Sequence, residues 1–188
     1  PAAREAFQKA RAANKQHLPA LLAEISLALE GGDLPKAKAL AAELRAIVPV
    51  HPSTAFVDAH LAFLSGEMAR ARELSQRLVL TLPDHQGILI LAGSVESRMG
   101  AVAQAASYFG KALALNPQLN VARVSLASAE LRLGQHMKAL ETLDPGDPYA
   151  DLHRSKIYAE MGKDEEAYRF LEQSLRGMAE LDTLHHIE

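Results

Sequence analysis

The sequence predicts an all-α fold, a superhelical solenoid of helical hairpins stacked side by side. Three kinds of landmark recur at intervals of 34 residues, which is a period of repeat architectures. They are a glycine (Gly32, Gly66, Gly100, Gly134), an alanine (Ala37, Ala71, Ala105, Ala139) and a proline (Pro49, Pro83, Pro117). A glycine suits the end of the first helix of a hairpin, a small alanine allows the second helix to cross it closely, and a proline ends the second helix.

The composition agrees with this interpretation. Hydrophobic residues make up 48% of the 188 residues, which is enough to bury a sizeable core. Alanine and leucine are frequent, tryptophan is absent and aromatic residues are only 5%, so closely packed helices are favoured over a β-sandwich or a barrel. We therefore expect a chain that is almost entirely helical.

The period places the two helices of each hairpin along the chain. The predicted first helices are Leu18 to Glu30, Ser53 to Ser65, Gln86 to Met99, Leu119 to Leu133 and Pro148 to Met161. The predicted second helices are Leu34 to Ile47, Met68 to Thr81, Val102 to Leu115, His136 to Leu143 and Asp164 to Gly177. Ala2 to Asn14 is predicted as the second helix of a preceding hairpin. Its residues Ala3, Phe7 and Ala10 lie one period before Ala37, Ala41 and Leu44.

This arrangement predicts a single solenoid, residues 1–188, that is a fragment of a longer array with its native start upstream of Pro1. Its parts are a truncated repeat (1–17), five repeats (18–51, 52–85, 86–119, 120–147 and 148–181) and a tail or the start of another repeat (182–188). The fourth repeat is shorter, because Gly134 and Gly162 lie 28 residues apart. Asp144 to Pro148 is a turn sequence in which Asp147 can cap the next helix and Pro148 suits its first turn.

Charge and motifs exclude several classes of function. The net charge is -3 and its signs are interspersed, so no dense basic surface for nucleic acid is expected. Cysteine is absent, which excludes thiol chemistry and cysteine-bound zinc. No phosphate loop, nucleophile elbow or zinc-protease motif occurs, and no apolar run is long enough to span a bilayer. We predict no catalytic residues, no cofactor, no metal site and no insertion of this segment into a membrane.

Three sets of polar residues suggest a metal site, but each has a simpler interpretation. His51 and His85 occupy the same turn position one period apart, and we interpret them as loop residues. The acidic residues Asp144, Asp147 and Asp151 lack the spacing of a calcium loop, so capping and turn formation are favoured. The terminal His185, His186 and Glu188 are interpreted as a solvated tail.

The landmarks, together with Phe109, Ala112 and Leu113 after Ala105, resemble those of the tetratricopeptide repeat (TPR) family over nearly the whole chain. This resemblance implies a TPR-like α-α superhelix that binds partners on its concave face. Three phrases are also similar to the PrsT-like TPR proteins of the bacterial PEP-CTERM/exosortase exopolysaccharide system. They are His51-Pro-Ser-Thr-Ala-Phe56, Leu91-Ala-Gly-Ser-Val-Glu-Ser-Arg-Met-Gly100, and Leu131-Arg-Leu-Gly-Gln135 with Lys138-Ala-Leu-Glu141. That resemblance implies a periplasmic or outer-membrane-anchored protein of the cell envelope, and a cytoplasmic protein is the alternative.

Projection of the first helices onto such a superhelix gives the candidate binding residues. We predict a partner-binding row made of Phe56, His60, Phe63, Ile90, Ser94, Arg98, Ser128 and Arg132. Apolar anchors beside small residues suit an amphipathic helix or an extended peptide, and the arginines suit an acidic group. The alternative for each single residue is packing in the core or solvation at the surface.

The leading functional hypothesis is therefore an interaction module or scaffold for a protein or peptide partner. The resemblance to the PrsT-like proteins implies that it acts in an envelope assembly for exopolysaccharide biosynthesis or export. The alternative is the regulatory TPR region of a larger enzyme such as a glycosyltransferase. A third hypothesis, a structural spacer or self-associating array, leaves the oligomeric state open. The sequence flanking this segment distinguishes the first two hypotheses.

Overall fold

The computed structural model describes residues 2–14, 16–144 and 147–185, and over these ranges it consists of α-helices without a β-strand. The helices are α1 (Ala2–Ala13), α2 (Leu18–Glu30), α3 (Leu34–Ile47), α4 (Pro52–Leu64), α5 (Met68–Thr81), α6 (Gln86–Arg98), α7 (Val102–Leu115), α8 (Asn120–Arg132), α9 (His136–Thr142), α10 (Pro148–Glu160) and α11 (Asp164–His185). The all-α prediction is confirmed.

The helix bounds follow the prediction closely, with one exception. Four helices (α2, α3, α5 and α7) begin and end at the predicted residues, α1, α6, α9 and α10 differ by one residue at one end, and α4 and α8 differ by one residue at each end. The exception is α11, which we predicted to end at Gly177 and which continues to His185. Gly177 does not end the helix because it is a packing residue: a Cβ there would lie 2.5 Å from Cγ of Pro148.

Glycines close the hairpins as the period predicts. Gly100 has a φ of 83°, a left-handed conformation that a side chain with a Cβ disfavours. The amide of the next residue, Ala101, donates to the carbonyl of Glu96 at 2.9 Å and so satisfies a carbonyl at the end of α6. The equivalent glycines of the other hairpins have φ between 70° and 80°.

Histidines and aspartates cap the helix N-termini. The Nδ1 atoms of His17, His51 and His85 accept hydrogen bonds from backbone amides of α2, α4 and α6 at 3.2, 3.1 and 3.4 Å. The interpretation of His51 and His85 as plain loop residues was therefore incomplete, because each satisfies an amide that the helix leaves unpaired. Asp147 caps α10, as predicted, by accepting from the amide of Tyr149 at 2.9 Å.

The chain divides into two compact units, Pro1–Pro83 and Asp84–Glu188. In the first unit, α1 packs against α2, α2 against α3, α3 against α4, and α4 against α5. Its core is an apolar cluster of buried side chains contributed by α2, α3 and α4. Fully buried members include Leu21, Ile25 and Leu44. The predicted repeat boundaries are not tested by this division and stay a prediction.

In the second unit, α6 packs on α7, α7 on α8, and α10 on α8, α9 and α11. The contact between α6 and α7 depends on a glycine, because a Cβ at Gly93 would lie 2.6 Å from the buried ring of Phe109. The shortened fourth repeat is accommodated by Arg154 of α10. Its guanidinium donates to the carbonyls of Leu143 and Asp144 at 2.5 and 2.7 Å, just after α9 ends.

Candidate functional site

In the first unit, the candidate binding residues are on α4. Phe56, His60 and Phe63 are spaced by four and three residues, so they share one face of the helix, and all three are half-buried. The rings of Phe56 and His60 meet edge to face, with centroids 6.1 Å apart and planes at 62°. Burial lowers the pKa of His60 from its ordinary value of 6.5, so the neutral imidazole is favoured. This face presents aromatic surface with one neutral polar ring.

In the second unit, the candidate residues are on α6 and α8. Ile90, Ser94 and Ser128 are half-buried, while Arg98 and Arg132 are exposed. Ser94 and Ser128 lie 34 residues apart, and His60 occupies the same repeat position in the first unit.

A hydrogen-bonded link joins α8 to α6 beside these residues. Nη1 of Arg132 donates to Oγ of Ser97 at 2.7 Å and to the carbonyl of Ser97 at 3.1 Å. Because Arg132 is an exposed side chain at the C-terminal end of α8, this link holds a cation at the surface of the two first helices. Part of the guanidinium remains available for an acidic group, since it has five N–H donors.

The structure brings some of the predicted residues together and separates others between the two units. Phe56 contacts His60 in the first unit, and Arg132 connects α8 with α6 in the second. The prediction that all eight residues line one continuous concave surface stays a prediction, because three lie in one unit and five in the other.

Sequence reasoning missed the buried charged residues of the second unit. Glu130 is only 1% exposed, and it accepts from Oγ1 of Thr142 at 2.7 Å and pairs with Nζ of Lys138 at 3.1 Å. Arg154 pairs with Asp151 at 3.0 Å, and both are buried. These groups join α8 to α9 and fix the loop before α10. The available signal was the recurrence of a glutamate at one repeat position, Glu96 in α6 and Glu130 in α8, both of which are buried.

The acidic residues near the short repeat are engaged within the fold. Asp144 pairs with Arg123, Asp147 caps α10, and Asp151 pairs with Arg154. Over the described ranges, no three or more His, Asp or Glu side chains are grouped so as to hold a metal ion. His186 and Glu188 lie outside the described residues. None of the helices described combines the length and the apolar character needed to cross a membrane.

Comparison with known proteins bears on the fold. No protein-family model matches the sequence, and no curated protein matches it. Solved structures do match: MamA has a TM-score of 0.68 at 19% identity, over 85% of this chain and 96% of that one. YrrB, described as a TPR protein with an unusual peptide-binding site, has a TM-score of 0.63 at 18% identity over 92% of both chains. TTC0263, a thermophilic TPR protein of Thermus thermophilus, has a TM-score of 0.69 at 20% identity, over 83% of this chain and 89% of that one. The chain therefore has the TPR-like α-α superhelical fold.

Proposed function

We propose that this chain is a protein-interaction module that binds peptide segments of a partner through its first helices, on α4 in the first unit and on α6 and α8 in the second. The observation that carries the proposal is that the side chains at one repeat position, His60 in the first unit and Ser94 and Ser128 in the second, are all half-buried; we call these three residues the row. Half-buried apolar residues accompany this row, namely Phe56, Phe63 and Ile90. Small side chains leave room for a partner backbone, and partly exposed apolar side chains supply anchors for it.

The electrostatics of the row support an acidic or neutral peptide. Arg98 and Arg132 are exposed on α6 and α8, and burial keeps His60 neutral by lowering its pKa. The glutamates of the same two helices are buried and so contribute little negative surface. We infer that the arginines orient an acidic group of the partner, with Arg132 held in place by its hydrogen bonds to Ser97.

The likeness to YrrB gives this proposal a precedent in fold, because that protein is described as having a peptide-binding site. The residues of the row favour binding over catalysis. Aromatic, aliphatic and serine side chains together with exposed arginines are the residue types of a recognition surface. We accordingly propose a scaffold rather than an enzyme.

The test uses Ser94→Arg in the full-length protein, with Ser107→Arg as the matched control. Ser94 is half-buried on the first helix α6, whereas Ser107 is exposed on the second helix α7. Partners captured from the protein's own cells are identified with the unaltered protein, and their affinity for each purified variant is then measured alongside the helical circular dichroism signal. We expect Ser94→Arg to weaken binding and Ser107→Arg to leave it unchanged. Undiminished affinity of a folded Ser94→Arg protein would refute the proposed row.

The biological setting is a separate proposal. We propose a periplasmic or outer-membrane-anchored assembly concerned with exopolysaccharide, supported by the PrsT-like phrases such as His51-Pro-Ser-Thr-Ala-Phe56. Fractionation of cells expressing the full-length protein tests the compartment, since recovery in the cytoplasm would contradict it. Sequencing the gene around this segment tests the alternative of a larger enzyme, because a catalytic domain beside the repeats would favour a regulatory role.

A further inference from the structure

An open pocket lies in the first unit, between the segment 49–51, the N-terminal half of α4 and the C-terminal half of α5. Its volume is about 490 Å³, which is within the range of ligand-binding pockets. The walls are formed largely by apolar groups, among them Val50, Pro52, Ala55 and Leu74. Val50 at the rim is 93% exposed, so the pocket opens beside apolar surface that is in contact with water.

The repeat explains why this pocket exists. At the position of Ala55, the neighbouring repeats have Leu21 and Leu89, and both leucines are completely buried. At the position of Leu74, the preceding repeat has Leu40 and the following repeat has Tyr108, and both are buried. The smaller side chain on α4 therefore leaves open a space that the preceding and following repeats fill with a leucine of their own. The missing group at Ala55 is the end of a leucine side chain.

The polar groups of the pocket favour a negatively charged ligand. Asp58 is the acidic lining residue, and its carboxylate already accepts from Arg45, with the shortest contact at 2.5 Å. Nδ1 of His51 accepts the amide of Ser53, so the neutral ring carries its proton on Nε2 and can donate it. Arg77 is exposed and uses one guanidinium nitrogen to pair with Glu73 at 2.6 Å, which leaves further N–H donors for a ligand.

We propose that this pocket binds the leucine side chain of an acidic segment of a partner protein. The leucine occupies the space above Ala55, and a carboxylate next to it in the partner sequence accepts hydrogen bonds from His51 and Arg77. The proposal concerns a second site and does not depend on the row at His60, Ser94 and Ser128, because Ala55 and Asp58 lie on a different face of α4 from Phe56, His60 and Phe63.

The experiment is an NMR titration of the ¹⁵N-labelled chain with the peptide acetyl-Gly-Leu-Asp-Gly-amide. We expect saturable shifts at the amides of Val50, Ala55 and Leu74. A peptide with alanine in place of leucine should bind about tenfold more weakly or worse, because it lacks most of the buried apolar area. A peptide with asparagine in place of aspartate should bind about threefold more weakly, since the ion pair is at an exposed rim. Arg77→Gln should reduce the affinity for the aspartate peptide by up to about threefold and bring it closer to the affinity for the asparagine peptide, with His51 left as the remaining donor.

Ala55→Leu provides the decisive variant because it restores the residue of the neighbouring repeats. It should remain folded, unfold at an equal or higher temperature, and lose binding by about tenfold or more. Ala69→Leu, an exposed alanine on α5, adds the same surface elsewhere and should leave binding unchanged.

Four results would overturn the proposal. They are an absence of saturable shifts, equal affinity for the leucine and alanine peptides, unchanged binding by Ala55→Leu, and a clear loss of stability in Ala55→Leu. In the same titration, 3-methylbutanoate tests whether a free carboxylic acid is the ligand. Binding of this acid without binding of the peptide would assign the pocket to a small molecule instead.

Discussion

Replacement of Gly93 by alanine tests whether the close crossing of α6 and α7 holds the second unit together. An ideal Cβ at this position would lie 2.6, 2.8 and 2.9 Å from three carbon atoms of the Phe109 ring. Two carbon atoms rest at about 3.5 to 4.0 Å, so the ring must move by a large part of an ångström. Phe109 is only 3% exposed and belongs to the core with Ala105 and Ala129, so it has little room to move.

Two effects of opposite sign set the magnitude for Gly93→Ala. In a helix interior, alanine is favoured over glycine by about 1 kcal/mol, while overpacking of a filled core costs about 1 to 3 kcal/mol. We expect the overlap to win, because the neighbouring atoms belong to a buried ring and not to the end of a flexible side chain. The free energy of unfolding should fall by about 1 to 2 kcal/mol, or a few degrees in the unfolding temperature for a chain of this length.

Gly110→Ala is the matched control for this prediction. Gly110 lies within α7, and a Cβ there would meet no other atom within 4 Å. Only the helix propensity acts at this position, so the variant should be stabilised by up to about 1 kcal/mol. Thermal and denaturant unfolding followed by circular dichroism give both values, and the double variant Gly93→Ala with Phe109→Leu should recover part of the loss. If Gly93→Ala is as stable as Gly110→Ala, then α6 and α7 lie farther apart than the overlap between a Cβ at position 93 and the Phe109 ring requires.

Three further outcomes are expected. Ala105→Leu should lower the free energy of unfolding by about 1 to 3 kcal/mol, because Ala105 is completely buried between packed helices, and a neutral result in thermal unfolding would place it at the surface. Arg154→Gln should cost about 3 kcal/mol in denaturant unfolding, because it leaves the buried Asp151 without its cation, and Asp151→Asn combined with it should recover stability. Burial lowers the pKa of His60, so just below pH 6.5 the unfolded chain binds more protons at this residue than the folded chain does. The contribution of His60 to the free energy of unfolding is therefore fully present above pH 6.5 and is lost as the pH falls through the lowered pKa. His60→Gln should flatten that pH dependence of the unfolding temperature, whereas an unchanged slope would assign it to other groups.

The helix bounds could be predicted from the sequence because each depends on a local feature that recurs at a fixed interval. Gly100 ends a hairpin turn through its own backbone conformation, and Pro117 follows the end of α7. The end of α11 could not be predicted in this way, because no proline follows Gly177 and the glycine itself is used for packing against Pro148. A glycine has two structural uses, and the sequence pattern does not distinguish them.

The candidate sites were less predictable because they depend on side-chain contacts between helices. Projection identified Phe56, His60 and Phe63 as one face of α4, but not the edge-to-face contact that accompanies the burial of His60. Nor did it indicate that Arg132 is held by Ser97. The buried Glu130 was missed because its partners, Lys138 and Thr142, come from the next helix, α9, and a contact between two helices is not visible in the pattern of α8 alone.

The two proposed binding sites can be separated experimentally because they use different faces of α4. Successive residues of an α-helix point about 100° apart, so Ala55 and Phe56 belong to different surfaces although they are adjacent in sequence. Ala55→Leu fills the pocket beside α5 and leaves the row of His60, Ser94 and Ser128 intact, while Ser94→Arg alters that row in the second unit. A partner that loses affinity only for Ser94→Arg uses the row, and one that loses affinity only for Ala55→Leu uses the pocket. Loss with both folded variants would mean that one partner contacts both sites, and the two changes in binding free energy should then be additive, since the two positions share no described contact.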